Sequence, residues 1–220
     1  RNPVTIQYID AGAKGRLDLS QLSKFIKLGA GTQLRGQVWV DAFVKGPLKA
    51  IEQQSGPFSA GGFFDIRNLY YADKNFPQPV QNGNMKATLI NAGGVADKTV
   101  IDIAQGHIEV GKDPVDFTLQ LQNPVSTINF SGKAKGRFTL DNLKQFTSLP
   151  EGTSLSGIIN TDMDFSGSRE AIQKSEYDRI KMNGYADITN INYKSKDYPT
   201  GINIPSSSLL FNTANITLSN

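Results

Sequence analysis

His107 is the one side chain in these 220 residues whose ordinary pKa would let it exchange protons near neutrality, and it lies beside Gly106 in a strand-like stretch. A catalytic relay would also need a nucleophile and an orienting acid at workable spacing, and the sequence around His107 supplies neither. His107 is therefore read as structural. Asp162 and Asp164 point to the same side of a strand and could touch a divalent cation. A similar segment earlier in the chain keeps Asp41 but has Phe43, so the pair is read as part of a solvated face. Gly29-Ala30-Gly31-Thr32 has the glycines of a phosphate loop, yet it lacks the Lys-Ser/Thr ending and follows a helical pattern instead of preceding one. Trp39, Phe43, Tyr70 and Tyr71 could stack on sugars or bases, but clustered Arg or Lys does not interleave them as a nucleic-acid platform requires. A glycoside hydrolase would need two facing carboxylates, and the recurring acids Asp41/Asp162 and Asp65/Asp187 give no sign of such a pair. The expectation is no catalytic residue, no metal site, no cofactor and no nucleic-acid partner.

What does recur is scaffold. Ala13–Gln53 returns without a gap at Ala134–Lys174, 121 residues on, and the shared letters are mostly apolar or glycine. Asn2-Pro3-Val4 returns as Asn123-Pro124-Val125 at the same offset. Gly62–Pro77 returns as Gly184–Pro199 at an offset of 122, so one residue is inserted between the blocks. The chain divides into a first unit, residues 1–121, and an incomplete second unit, residues 122–220, with both expected in one continuous sheet. A period this long marks a multi-strand module, since solenoid periods run about 20 to 50 residues. Arg1 enters in mid-pattern, which leads to the expectation of a fragment of a longer protein.

Composition fits a folded, water-compatible chain: 38% hydrophobic, 20% charged, net charge +3. The absence of cysteine excludes disulfides and thiolate metal sites. No apolar run approaches the roughly 18 residues of a membrane span. Lys14/Arg16 and Lys133/Lys135/Arg137 are the densest basic groups and read as the solvated side of strands.

Leu155, Gly157, Ile159, Thr161, Met163 and Phe165 alternate with polar neighbours, the period of a strand with one buried face. Leu34, Gly36, Val38, Val40, Ala42 and Val44 hold the same phase in the first unit. Phe117, Leu119 and Leu121 alternate likewise, as do Ile101 and Ile103. Ahead of each long strand, Leu19, Leu22, Phe25, Leu28 and Leu140, Leu143, Phe146, Leu149 predict a helix of about three turns capping the sheet. Ser20 and Asp141 are its expected N-caps, and Gly29 and Pro150 its stops. The Asp-x-x-Asn spacing of Asp65/Asn68 and Asp187/Asn190 suggests a bulge. The fold class expected is mainly β: a long antiparallel, twisted and curved sheet built from two tandem repeats, with short capping helices.

The blocks Asn123–Phe146, Leu34–Gly46, Leu155–Gly167 and Gly184–Tyr193, with Ile108–Pro124 between the units, resemble the AsmA-like proteins, in particular the long members of Bacteroidetes-type bacteria. That resemblance implies a periplasm-facing cell-envelope protein of a Gram-negative bacterium, with a membrane anchor outside these residues and a role in outer-membrane assembly or lipid transport. It implies no enzymatic activity. It gives the alternating face a role as a hydrophobic floor for lipid acyl chains, with Leu34, Val38, Val40, Ala42, Val44, Leu155, Ile159, Met163 and Phe165 as lipid-facing candidates. The other reading is a structural or adhesive β-repeat spacer on the cell surface, in which those residues form a sealed core. Open sheet edges could pair with further repeats.

Overall fold

The computed structural model describes residues 7–24, 28–29, 31–53, 55–74, 76–91, 93–143, 152–212 and 215–219. Eleven strands follow one another: β1 (Tyr8–Asp18), β2 (Gln33–Pro47), β3 (Ser59–Asp73), β4 (Phe76–Asn91), β5 (Thr99–Val110), β6 (Asp113–Gln122), β7 (Asn129–Thr139), β8 (Ser154–Ser168), β9 (Lys181–Lys194), β10 (Ile202–Phe211) and β11 (Ile216–Ser219). They form one sheet in sequence order, with each strand antiparallel to the next. β1 and β11 lie at opposite ends and the sheet does not close. The expected mainly β, antiparallel architecture with short helices is the one observed.

Equivalent residues occupy equivalent elements. β1 and β2 recur as β7 and β8 with both bounds displaced by 121 residues, and the short helix α1 (Leu48–Glu52) recurs as α3 (Arg169–Gln173) at the same distance. The Asp-x-x-Asn spacing marks a bulge in both places. Register slips between Arg35 and Gln37 and again between Ser156 and Ile158, with Asn68 and Asn190 at φ 52° as the extra residues on the facing strand. Gly36 (φ 131°) and Gly157 (φ 126°) sit opposite those bulges, in backbone that a side chain would strain.

The helices differ from expectation. A 3₁₀ stretch covers Leu19–Lys24, and α2 covers Leu140–Leu143. Phe25, Phe146, Leu149 and Pro150 lie outside the described residues. Ser20 is not the cap: Asp18 Oδ1 accepts the Ser20 amide at 2.9 Å, because an aspartate closing a strand reaches the first free N–H of the turn. Asp141 sits inside the first turn of α2. α1 and α3 went unanticipated because, at five residues each, they are too short to show a helical period. α3 is capped by Ser168, whose Oγ accepts the Ala171 amide at 3.2 Å.

This is a single layer rather than a sandwich. The chain exposes 14257 Å², whereas a compact monomer of 24.0 kDa exposes roughly 9,900 Å². Among the described residues no large side chain is fully buried. The small core there, Leu140, Ile188 and Ile191 with Leu155, Ile159, Ile204 and Leu209, lies where α2 rests on β8–β10.

The passage from β6 to β7 is a turn clasped by one carboxylate. Asp97 accepts the Ser126 amide at 2.9 Å, the Ser126 hydroxyl at 2.8 Å and the Val125 amide at 3.2 Å. The Asn123 side chain donates to the Asp97 carbonyl at 3.3 Å. Bonds from the Ser126 amide and hydroxyl, then from Val125 and Asn123, hold the Asp97 carboxyl below its ordinary value of 3.8.

Two outcomes follow. Asp97→Asn should lower the melting temperature at pH 7 and flatten its fall on acidification. The carboxylate stabilises the turn fully above pH 3.8 and ceases to do so as pH falls through its lowered pKa, which circular dichroism melts across that range will show. Gly136→Val should cost roughly 1–3 kcal/mol in urea unfolding, because its Cβ would stand 2.5 Å from the Pro114 carbonyl oxygen and 2.9 Å from Val115 Cα.

Candidate functional site

Residues paired across antiparallel strands project to the same side of the sheet, so the register assigns every side chain a face. From β2, Leu34, Val38, Val40, Ala42 and Val44 fall on one face, opposite Tyr71, Ile66, Phe64, Gly62 and Ala60 of β3. From β8, Leu155, Ile159, Met163 and Phe165 fall on that same face when the register is followed through the intervening strands. The two rows are six strand spacings apart, about 29 Å. Between them lie Ile101 and Ile103 on β5 and Phe117, Leu119 and Leu121 on β6, whose alternation the sequence shows, together with Phe64 and Ile66 on β3, Met85 and Leu89 on β4, Ile108 on β5 and Val115 on β6, which sequence reading did not assign to the face.

No lysine or arginine of β1–β10 falls on this face among the described residues. Its charged positions are Asp73 and Asp113, both at strand ends. Asp113 is buried and answered there by the Thr139 amide at 2.8 Å, the Thr139 hydroxyl at 3.0 Å and the Asn142 side chain at 3.1 Å. In mid-face, the Thr161 hydroxyl is satisfied by the Tyr185 carbonyl at 2.6 Å. Among the described residues the middle of the face is thus largely apolar, with its charged groups at strand ends.

The nine candidates are not equally accessible. Leu155 and Ile159 pack against the cluster under Leu140 of α2, and Val38, the counterpart of Ile159, is buried. Leu34, Val40, Ala42, Val44, Met163 and Phe165 are half-buried, and among the described residues no second layer lies above them. Eleven strands at about 4.8 Å make the sheet roughly 48 Å across.

The opposite face carries the charges, arranged in cross-strand pairs. Lys14 meets Asp41 at 2.9 Å, Lys45 meets Asp10 at 2.8 Å, Lys133 meets Asp164 at 3.0 Å and Lys135 meets Asp162 at 3.2 Å. The bond and charge of Asp41 raise the Lys14 pKa, and those of Asp162 raise that of Lys135. His107 Nδ1 lies 2.7 Å from Asp116 Oδ1 across β5 and β6. Among the described contacts no hydroxyl meets its other ring nitrogen. A depression of about 730 Å³ lies mainly on this charged side, lined by Asp65, Lys86, His107, Asp116, Lys135 and Asp162 and also by Met85 and Phe117. The aromatics divide between the faces. Trp39 has the guanidinium groups of Arg16 and Arg67 at 4.6 and 5.3 Å, and Tyr70 has Arg35 at 4.6 Å, while Tyr71 joins the apolar face opposite Leu34.

No family model matches the chain, and comparisons with curated proteins and with solved structures find no match. Among the described residues no helix is long and apolar enough to cross a membrane, and no cluster of His, Asp or Glu has metal-site geometry.

An environment-sensitive apolar dye, anilinonaphthalene sulfonate, should fluoresce with the folded protein in the absence of denaturant. Val40→Lys and Met163→Lys should each weaken that signal while leaving the far-ultraviolet circular dichroism unchanged.

Proposed function

We propose that this chain is a non-enzymatic, lipid-handling module of the cell envelope, comparable to the AsmA-like proteins that its repeated blocks resemble. The observation that carries the reading is an apolar sheet face that the described residues leave without a second layer. Acyl chains lie against the open part of that face, around Leu34, Val40, Ala42, Val44, Met163 and Phe165, while head groups stay in water. Leu155, Ile159 and Val38 form its floor beneath the capping turns. Each methylene moved from water to such a surface gains about 0.8 kcal/mol. Ten methylenes give about 8 kcal/mol, enough to offset much of the cost of immobilising a lipid.

The single-sheet arrangement of the described strands favours this reading over a surface spacer, whose modules need sealed cores. The paired charges on the other face suit a sheet solvated on one side and filled on the other. A place in outer-membrane assembly, on the periplasmic side of a Gram-negative envelope and tethered by an anchor outside these residues, belongs to the same proposal.

Native protein purified without detergent should yield glycerolipid on organic extraction and mass spectrometry, and it should take up labelled lipid from vesicles. Val40→Lys with Met163→Lys should lose most of both. A protein that neither carries nor exchanges lipid would overturn the reading.

A further inference from the structure

We propose that the charged face of β2–β4 is a second binding surface, and that its ligand is an extended, largely uncharged oligosaccharide. The repeat supplies an internal comparison. In the second unit this face carries Asn160 and the ion pair of Lys133 with Asp164 at 3.0 Å. The residues 121 positions earlier are Trp39, Gly12 and Phe43. A tryptophan thus stands in place of an asparagine, and a glycine and a phenylalanine in place of an ion pair, on a face whose solvation asks for neither. Burial does not account for them: Trp39, Phe43, Phe63 and Ile90 are 41, 53, 42 and 58% exposed.

The register sets these rings among polar groups. Trp39 has Arg16 and Asp65 as its cross-strand neighbours, and Phe63 has Asp41 and Thr88. Phe43 leans over Gly61, where a Cβ would stand 2.7 Å from the Phe43 Cε1, and Ile90 lies beyond Gly61 on β4. Trp39 and Phe43 are four residues apart on β2, about 13 Å, with Phe63 between them on β3. A pyranose ring has the matching chemistry, C–H groups on its faces and hydroxyls around its rim. Its faces lie on Phe43 and Phe63, and its hydroxyls meet Asp41, Thr88 and Asp65. A protein partner would ask instead for a contiguous apolar centre with its polar groups at the rim. At the Trp39 end the row runs into the depression of about 730 Å³, which Asp65 and Arg67 line together with Gln105, Thr118 and Asp162. That volume falls within the roughly 300–1,000 Å³ of small-ligand sites.

Charge selects among hydroxyl-rich ligands. Asp41, Asp65, Asp116 and Asp162 are paired with Lys14, Arg67, His107 and Lys135. Arg16 and Arg35 each lie 4.6 Å from a ring, those of Trp39 and Tyr70. Among the described residues Lys86 is the one cation lining the depression without an ion pair or ring contact. A polyanion would face four carboxylates, so the ligand carries at most scattered acid groups, one of them beside Lys86. A row of rings along one strand suits a chain whose equatorial links keep it extended. The surface is the reverse of the apolar face, and the inference stands whether or not that face holds lipid.

Trp39 is the only tryptophan of the chain, so its fluorescence reports on this face alone. Titrating the whole chain with cellohexaose and with chitohexaose should change that emission saturably for at least one of them. Maltohexaose, coiled by its axial links, and an oligothymidine strand should leave it unchanged. Gly12→Lys with Phe43→Asp imports the ion pair of the second unit, and a Cβ on Gly12 would meet only the Ala42 oxygen at 3.5 Å. That variant should keep its melting temperature and bind the sugar at least about tenfold more weakly, and so should Phe63→Ser. Three results would overturn the proposal: no response to either extended hexasaccharide, undiminished affinity in both variants, or a stronger response to oligothymidine, which would assign the face to single-stranded nucleic acid.

Discussion

Side-chain parity is the constraint on which everything else depends. In a one-layer sheet each strand must keep its apolar residues on the same side as its neighbours', and a slip of one residue would exchange the faces. The strands here reach 15 or 16 residues, long enough that the sequence does not hold one phase throughout. Bulges restore it. Asn68, Asn82 and Asn190, all in left-handed conformation, each insert one residue where the alternation would otherwise point the wrong way, and asparagine tolerates that conformation better than most. Beyond Asn68 the apolar phase resumes at Leu69 and Tyr71, and beyond Asn190 at Ile191 and Tyr193.

Because strands touch only their sequence neighbours, stability is distributed along the sheet rather than concentrated in a centre. Among the described residues the most buried apolar ones are Ala171, Leu140, Ala186 and Ile188. Such a molecule resembles a repeat protein in its energetics, where each unit is held by the pairings on its two sides. The cross-strand ion pairs are exposed and contribute register more than energy. Shifting β1 against β2 would take Lys14 from Asp41 and Lys45 from Asp10 together.

The sequence made the two long strands β2 and β8 readable because neither contains its own bulge residue, so their alternation runs uninterrupted from Leu34 to Val44 and from Leu155 to Phe165. The same face on β3 was hidden. Phe63 and Phe64 are adjacent apolar residues on opposite faces, and the bulge at Asn68 reverses the phase soon after. β5 was readable at Ile101 and Ile103 but not at Ile108, since a further irregularity at Ala104 and Gln105 lies between them. The tight turns α1 and α3 were illegible because five residues carry no helical period. That the face is open could not be read at all: an alternating strand looks the same whether its apolar side meets another sheet, a lipid or water. Only the excess of accessible surface separates those cases.

The linear order of the eleven strands also bears on how the molecule is made. A strand in this sheet waits for nothing farther away than the next hairpin, so folding can follow the direction of synthesis, each new strand zipping onto the last as it emerges. A closed barrel must leave one edge of its first strand unpaired until its last strand arrives. Here the exposed edge simply moves along the chain, and a protein of this kind can grow very long without lengthening the time that any one strand spends alone.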